Sequence, residues 1–194
     1  MPLDVPKMIV EDEVLLQAYA RGDRKAAQIL AHRLTPKLLG HAYRILGDQA
    51  EAEDVAQEAM LRLWKIAPKW EAGRAQVSTW LYRVVANLCT DRLRKRRVSI
   101  DVDDAPEIAD ESPGAEEVMG QKSRMAALKS ALDELPERQR QAVILRHIEG
   151  LNNPEIAQIM DLSVEAVESL TARGKRALKT VLAPQKDELG YSNG

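Results

Sequence analysis

Along most of this chain apolar residues return every three or four positions, so each patterned segment predicts an amphipathic helix. Thr35 followed by Pro36 reads as one helix start, because the N–H that proline lacks has no partner to lose at the first helical position. Leu38, Leu39, Ala42 and Leu46 supply its buried stripe and Gly47 ends it. Asp48, with Glu51 three residues on, makes a capping-box-like start for a second helix, whose Ala52, Val55, Ala56, Ala59 and Leu63 face inward. Ser78 is placed to cap a third, with Leu81, Val84, Val85 and Leu88 as its stripe.

Nearer the C-terminus, Met125, Leu128, Leu132 and Leu135 form a further helical seam, punctuated by Pro136. A helix carrying Ala142, Val143 and Ile148 ends at Gly150, and Asn153 with Pro154 opens a short one containing Ile156, Ile159 and Met160. After a turn at Asp161, Leu162 and Ser163, the serine caps a last helix with Val164, Val167, Leu170, Gly174 and Leu178 inward. The pattern therefore predicts an all-α fold. Between the two helical blocks, residues 98–120 (VSIDVDDAPEIADESPGAEEVMG) show no sustained period and read as a flexible linker. Two small domains follow, residues 1–97 and 121–194.

Composition supports this division. Apolar residues make up 45% of the 194, enough for real cores, while aromatics at 4% with no Phe leave Leu, Ile, Val, Ala and Met to build them. The net charge of −2 conceals a segregation: the first block carries a balance of +5, the linker −8 and the second block +1. A single cysteine, Cys89, allows no internal disulfide, and its neighbours on a buried stripe mark it as an inert core thiol. His32, His41 and His147 lack metal-ligand spacing. No stretch approaches the ~20 apolar residues that cross a bilayer, and the start lacks a secretory pattern. The expectation is a cytoplasmic chain without cofactor, metal or membrane insertion. Phosphate-binding loops, nucleophile elbows and zinc-protease motifs are missing, so an enzyme has no foothold.

Candidate chemistry sits on three helix faces. On the third helix Trp80, Arg83, Asn87, Asp91 and Arg94 share one side, and the helix runs into RLRKRR, Arg92 to Arg97, with Arg94, Lys95, Arg96 and Arg97 at its end. Such a stripe suits a phosphate backbone, each neutralised phosphate adding about 0.9 to the slope of log affinity against log salt. A terminal basic run also complements the helix dipole, and Trp80 also fits a core position. On the last helix Glu165, Ser169, Ala172, Arg173 and Arg176 share a face, with Glu168 beside it. A short helix, a tight turn and a longer capped helix match the helix-turn-helix, whose second helix reads the major groove. A solvated face of mixed charge has the same pattern. On the second helix Asp54, Gln57, Glu58 and Leu61 line a stripe distinct from the buried one, which suits either a docking partner helix or plain solvent.

The layout resembles the extracytoplasmic-function sigma factors of bacterial RNA polymerase. DQAEAEDVAQEAMLRLWK (residues 48–65) is similar to their region 2.2, VSTWLYRVVANLCTDRLRKRR (77–97) to regions 2.3 and 2.4, and ALDELPERQRQAVILRHIEGLNNPEIAQIMDLSVEAVESLTARGKRAL (131–178) to region 4. The resemblance implies that Asp54, Gln57, Glu58 and Leu61 dock on core RNA polymerase. It implies that Trp80, Arg83, Asn87 and the basic run Arg94–Arg97 hold the −10 promoter element as single-stranded DNA. Glu165, Glu168, Ser169, Ala172, Arg173 and Arg176 would then face the −35 element, and the acidic linker would thread toward the polymerase active-site channel. It further implies a stress regulon and a cognate anti-sigma factor as partner, in the subgroup whose anti-sigma factors bind zinc. The recognition helix departs from the family pattern, since Glu165 and Glu168 stand where a small residue and a cation are usual. A stand-alone helix-turn-helix repressor or activator on duplex operator DNA is the rival reading.

Overall fold

The computed structural model describes residues 11–73, 75–100 and 126–185, and among them every regular element is helical. Helix α1 (Asp12–Ala20) precedes α2 (Arg24–Leu46), α3 (Gln49–Ile66) and α4 (Val77–Ile100). After the linker come α5 (126–133), α6 (Glu137–Val143), α7 (Asn153–Met160) and α8 (Val164–Leu182). Helix α6 runs on without a break into a single wide π turn, Ile144–Ile148.

Several boundaries differ from those the pattern predicts. The Thr35–Pro36 pair does not start a helix: α2 begins at Arg24, where the Asp23 carboxylate accepts from the backbone N–H groups of Lys25 and Ala26 at 2.9 and 3.3 Å. Pro36 lies within α2 on its exposed side, where the carbonyl it leaves unpaired can be met by water. Helix α1, which the pattern does not predict, buries the adjacent Leu15 and Leu16 in the core, with Ala18 and Tyr19 packed partly buried beside them. Ser78 falls inside α4, which starts one residue earlier. The same helix continues through residues 98–100, the first three of the expected linker, while 101–120 lie outside the described residues. Helix α7 opens at Asn153 as the pattern predicts, and the preceding Asn152 caps it in a full capping box with Glu155.

Where the structure agrees, local chemistry explains it. Gly47 ends α2 at φ +71°, a left-handed backbone that glycine adopts without strain. The Asp48 carboxylate accepts from Glu51 N–H at 2.8 Å and so starts α3. Ser163 caps α8 through its hydroxyl, which accepts from Ala166 N–H at 3.2 Å.

The main core joins Leu16, Leu30, Leu38, Val55, Leu63 and Leu81 from α1–α4, and it extends to Leu132, Leu135, Val143 and Ile144 of the second block. A second cluster sets Tyr82 and Ala86 of α4 against Leu145, Ile156, Ala157, Ile159 and Val167. Helix α7 thus packs on α4, while α8 packs on α6 and α7. Gly174 is what lets α8 approach α6: a Cβ there would stand 2.5 Å from Val143 Cγ2.

Candidate nucleic-acid interface

Three surfaces carry the predicted residues. On α3, Asp54 and Gln57 are exposed, and Glu58 accepts a 2.8 Å hydrogen bond from Arg62 Nε one turn on. Leu61 beside them is 62% exposed. A leucine side chain forgoes about 1.5–3 kcal/mol when left in water, so this is where a partner would gain by covering apolar surface.

Along α4 the predicted set divides. Arg83, Asn87, Arg94 and Lys95 are exposed. Trp80 is half-buried, its ring edge-on to Trp70 with centroids 5.9 Å apart, and Trp70 is itself fixed by donating from Nε1 to Glu13 Oε1 at 3.1 Å. Trp80 therefore belongs partly to the core and offers less ring than a free stacking platform. Arg96 turns inward. Its Nη1 donates to the Leu46 carbonyl at 3.0 Å and its Nε to Glu51 Oε1 at 3.2 Å, while Nη2 lies 2.8 Å from Glu51 Oε2, tying α4 to the α2–α3 corner. Arg97 lies in the helix, but its side chain is outside the described residues. Cys89 is fully buried, and burial pushes its thiol up to about 12.

Helix α8 presents Glu165, Glu168, Ser169, Ala172, Arg173 and Arg176, all exposed. Arg173 Nε donates to the Ser169 carbonyl at 3.3 Å, and Glu168 Oε1 accepts from Asn153 Nδ2 across the helix-turn-helix at 3.3 Å. The Glu165 carboxyl is held below its ordinary value by its own backbone N–H and then by the Ser163 hydroxyl, which makes it part of the helix start.

Sequence reading missed a polar contact between the two blocks. Glu149, just past the π turn, inserts a carboxylate only 9% exposed beside α2 and α4. Its Oε1 accepts from Arg44 Nη1 at 2.9 Å and its Oε2 from the Tyr82 hydroxyl at 2.8 Å. His41, fully buried and edge-on to Tyr82, brings Nδ1 to 3.5 Å without forming a hydrogen bond. Burial alone would raise the Glu149 carboxyl, but His41, the Tyr82 hydroxyl and Arg44 together leave it below its ordinary value. Around this centre Arg140 Nη1 donates to the Ile45 carbonyl at 3.1 Å, Lys129 Nζ to the Gly47 carbonyl at 3.2 Å, and Arg83 stands 3.9 Å from Asp161. The closed arrangement covers the Tyr82 and Ala86 edge of α4 while leaving Asn87 and the face of α8 open.

These two exposed faces fall in the segments that known families match. Residues 30–98 match the Sigma-70 region 2 model and residues 125–178 the Sigma-70 region 4 model. The chain is 33% identical over 154 residues to the ECF RNA polymerase sigma factor SigE of Mycolicibacterium smegmatis, covering 78% of this chain and 59% of that one. It is 32% identical over 186 residues to the RNA polymerase sigma-H factor of Pseudomonas aeruginosa, covering 90% and 95%. Its fold is similar to that of the sigma factor RpoE from Bartonella quintana, solved in complex with the anti-sigma factor NepR, with a TM-score of 0.64 at 21% identity over 80% of this chain and 96% of that one. With both halves matched in order, the chain belongs to the extracytoplasmic-function sigma factors of the sigma-70 family. Among the described residues no helix is long and apolar enough to cross a membrane.

Proposed function

We propose that this chain binds core RNA polymerase in the cytoplasm and directs it to a set of stress promoters. The observation that carries the reading is the pairing, on one chain, of an exposed asparagine-bearing basic helix with a separate exposed helix-turn-helix reader. A repressor needs only the second. In this reading the exposed stripe Asp54, Gln57, Glu58 and Leu61 docks on the polymerase, and residues 1–97 form the −10 domain. Arg83, Asn87, Arg94 and Lys95 hold the opened −10 strand, with the exposed edge of Trp80 beside them. Residues 121–194 form the −35 domain and place α8 in the major groove, where arginines grip phosphates or guanine edges. An anti-sigma factor is the fitting regulator, supported by the fold likeness to RpoE, which was captured with one.

Run-off transcription with core polymerase and a promoter-fragment library tests the reading. Transcripts that start at selected promoters only when the chain is added are expected. Tight operator binding by the chain alone, with no transcript, would instead establish a stand-alone regulator. The pI of about 6.0 argues for weak binding to DNA without polymerase.

A further inference from the structure

A carboxylate on a helix that lies along DNA is repelled by every phosphate it passes, so an acid on such a face needs a donor to offset that cost. Helix α8 has two. Glu165 is accounted for within the protein, since it sits in the first turn of α8, where a carboxylate complements the free backbone N–H groups of the helix start. Glu168 is not: it lies one turn further along, exposed, on the half of the helix whose residues contact base edges in this motif. Its one described partner is the Asn153 side-chain amide at 3.3 Å, which reaches across from the first turn of α7 and limits where the carboxylate can swing. In the major groove only the cytosine N4 and adenine N6 amino groups donate, and the adenine N7 acceptor beside N6 repels a carboxylate.

We infer that Glu168 is a specificity-determining residue that accepts a hydrogen bond from a cytosine amino group in the duplex upstream promoter element, and that Asn153 is its positioning residue. The inference rests on the sigma-factor reading above. It gives the recognition helix a division of labour: Arg173 and Arg176 supply sequence-independent grip, and the acid supplies rejection of wrong bases.

The test uses the full chain with core polymerase on promoters randomised across the upstream element, with transcript-linked sequencing reporting base preference column by column. The wild-type chain should favour cytosine in one column by about 5- to 10-fold, the lower range for a base-edge contact. Glu168→Gln should move that column toward adenine, which glutamine can pair with at N6 and N7, and leave the other columns unchanged. Glu168→Ala should flatten it. Both should raise output from promoters that lack the cytosine, because a repulsive charge is gone. Asn153→Ala should keep the cytosine preference but weaken it about 2- to 3-fold. A uniform rise in output with every column unchanged would show that Glu168 is only a solvated charge and overturn the inference. If the wild-type chain gave no promoter-selected transcripts, the sigma-factor reading itself would fall, and this one with it.

Discussion

Helices α4 and α8 both carry the cations expected of a DNA-facing surface, yet they hold them differently. On α4, Arg96 is fastened to Glu51 and the Leu46 carbonyl, Arg92 lies 3.7 Å from Asp54 and Arg83 lies 3.9 Å from Asp161. On α8, Arg173 and Arg176 face solvent with no carboxylate in ion-pair reach among the described residues. The first helix is a core element that also presents a surface; the second is a surface element held from behind by Gly174 and Val167. Changes on α4 should therefore disturb folding and recognition together, whereas changes on the outer face of α8 should disturb recognition alone.

The largest expected effect comes from the contact that joins the two blocks. Glu149→Ala should weaken their closure by about 3 kcal/mol, because it strands the Arg44 guanidinium and the Tyr82 hydroxyl in a partly buried site. Faster hydrogen exchange along residues 81–88 would report it. The same contact should respond to acid. The folded carboxyl lies below its ordinary value of 4.5, so its contribution is full above that pH and is lost as the pH falls through the lower folded value. Closure followed by small-angle scattering should persist at neutral pH and fail only in that acidic range.

Next in size, Gly174→Val should cost about 2 kcal/mol, since the new side chain meets Val143 and must push α8 from α6. A thermal melt measures it, and an unchanged midpoint would show that the two helices are less tightly joined than the 2.5 Å approach requires. Arg96→Ala should lower stability by about 1 kcal/mol by removing its bonds to the α2–α3 corner, whereas a purely DNA-facing arginine would leave the melt unmoved. Smallest in stability is Arg176→Ala, expected to stay within about 0.5 kcal/mol. It should nonetheless reduce the salt slope of promoter binding by about 0.9. If Arg96→Ala and Arg176→Ala gave the same pair of results, the contrast between the helices would collapse.

The helices with a long stripe and a clear cap were legible in the sequence, and the helix-turn-helix was legible nearly to the residue. Helix α1 was not, because it is only nine residues long and its N-cap, Glu11, makes no side-chain bond to mark the start. Pro36 misled because a proline at an exposed helix position looks like a helix start until the stronger cap at Asp23 is weighed. The outward faces of α3, α4 and α8 follow from geometry, so the exposure of Leu61, Asn87 and Arg173 could be anticipated. Arg96 could not be separated from its basic neighbours, since only the fold shows that its position on the helix wheel meets Glu51. Least legible was the group of His41, Arg44, Tyr82 and Glu149. They come from three segments distant in the chain, His41 and Arg44 on α2, Tyr82 on α4 and Glu149 after α6, and share a role only when the blocks touch.

Cys89 bears on a different matter, the chemistry of oxidants. Peroxide and singlet-oxygen products attack sulfur most readily as an accessible thiolate. Here the only sulfhydryl of the chain is sealed in the main core and remains protonated far above neutral pH. The folded protein consequently has no electron-rich sulfhydryl to surrender. If the genes it serves answer an oxidative insult, the Cys89 thiol of the folded chain would not be the group that registers it.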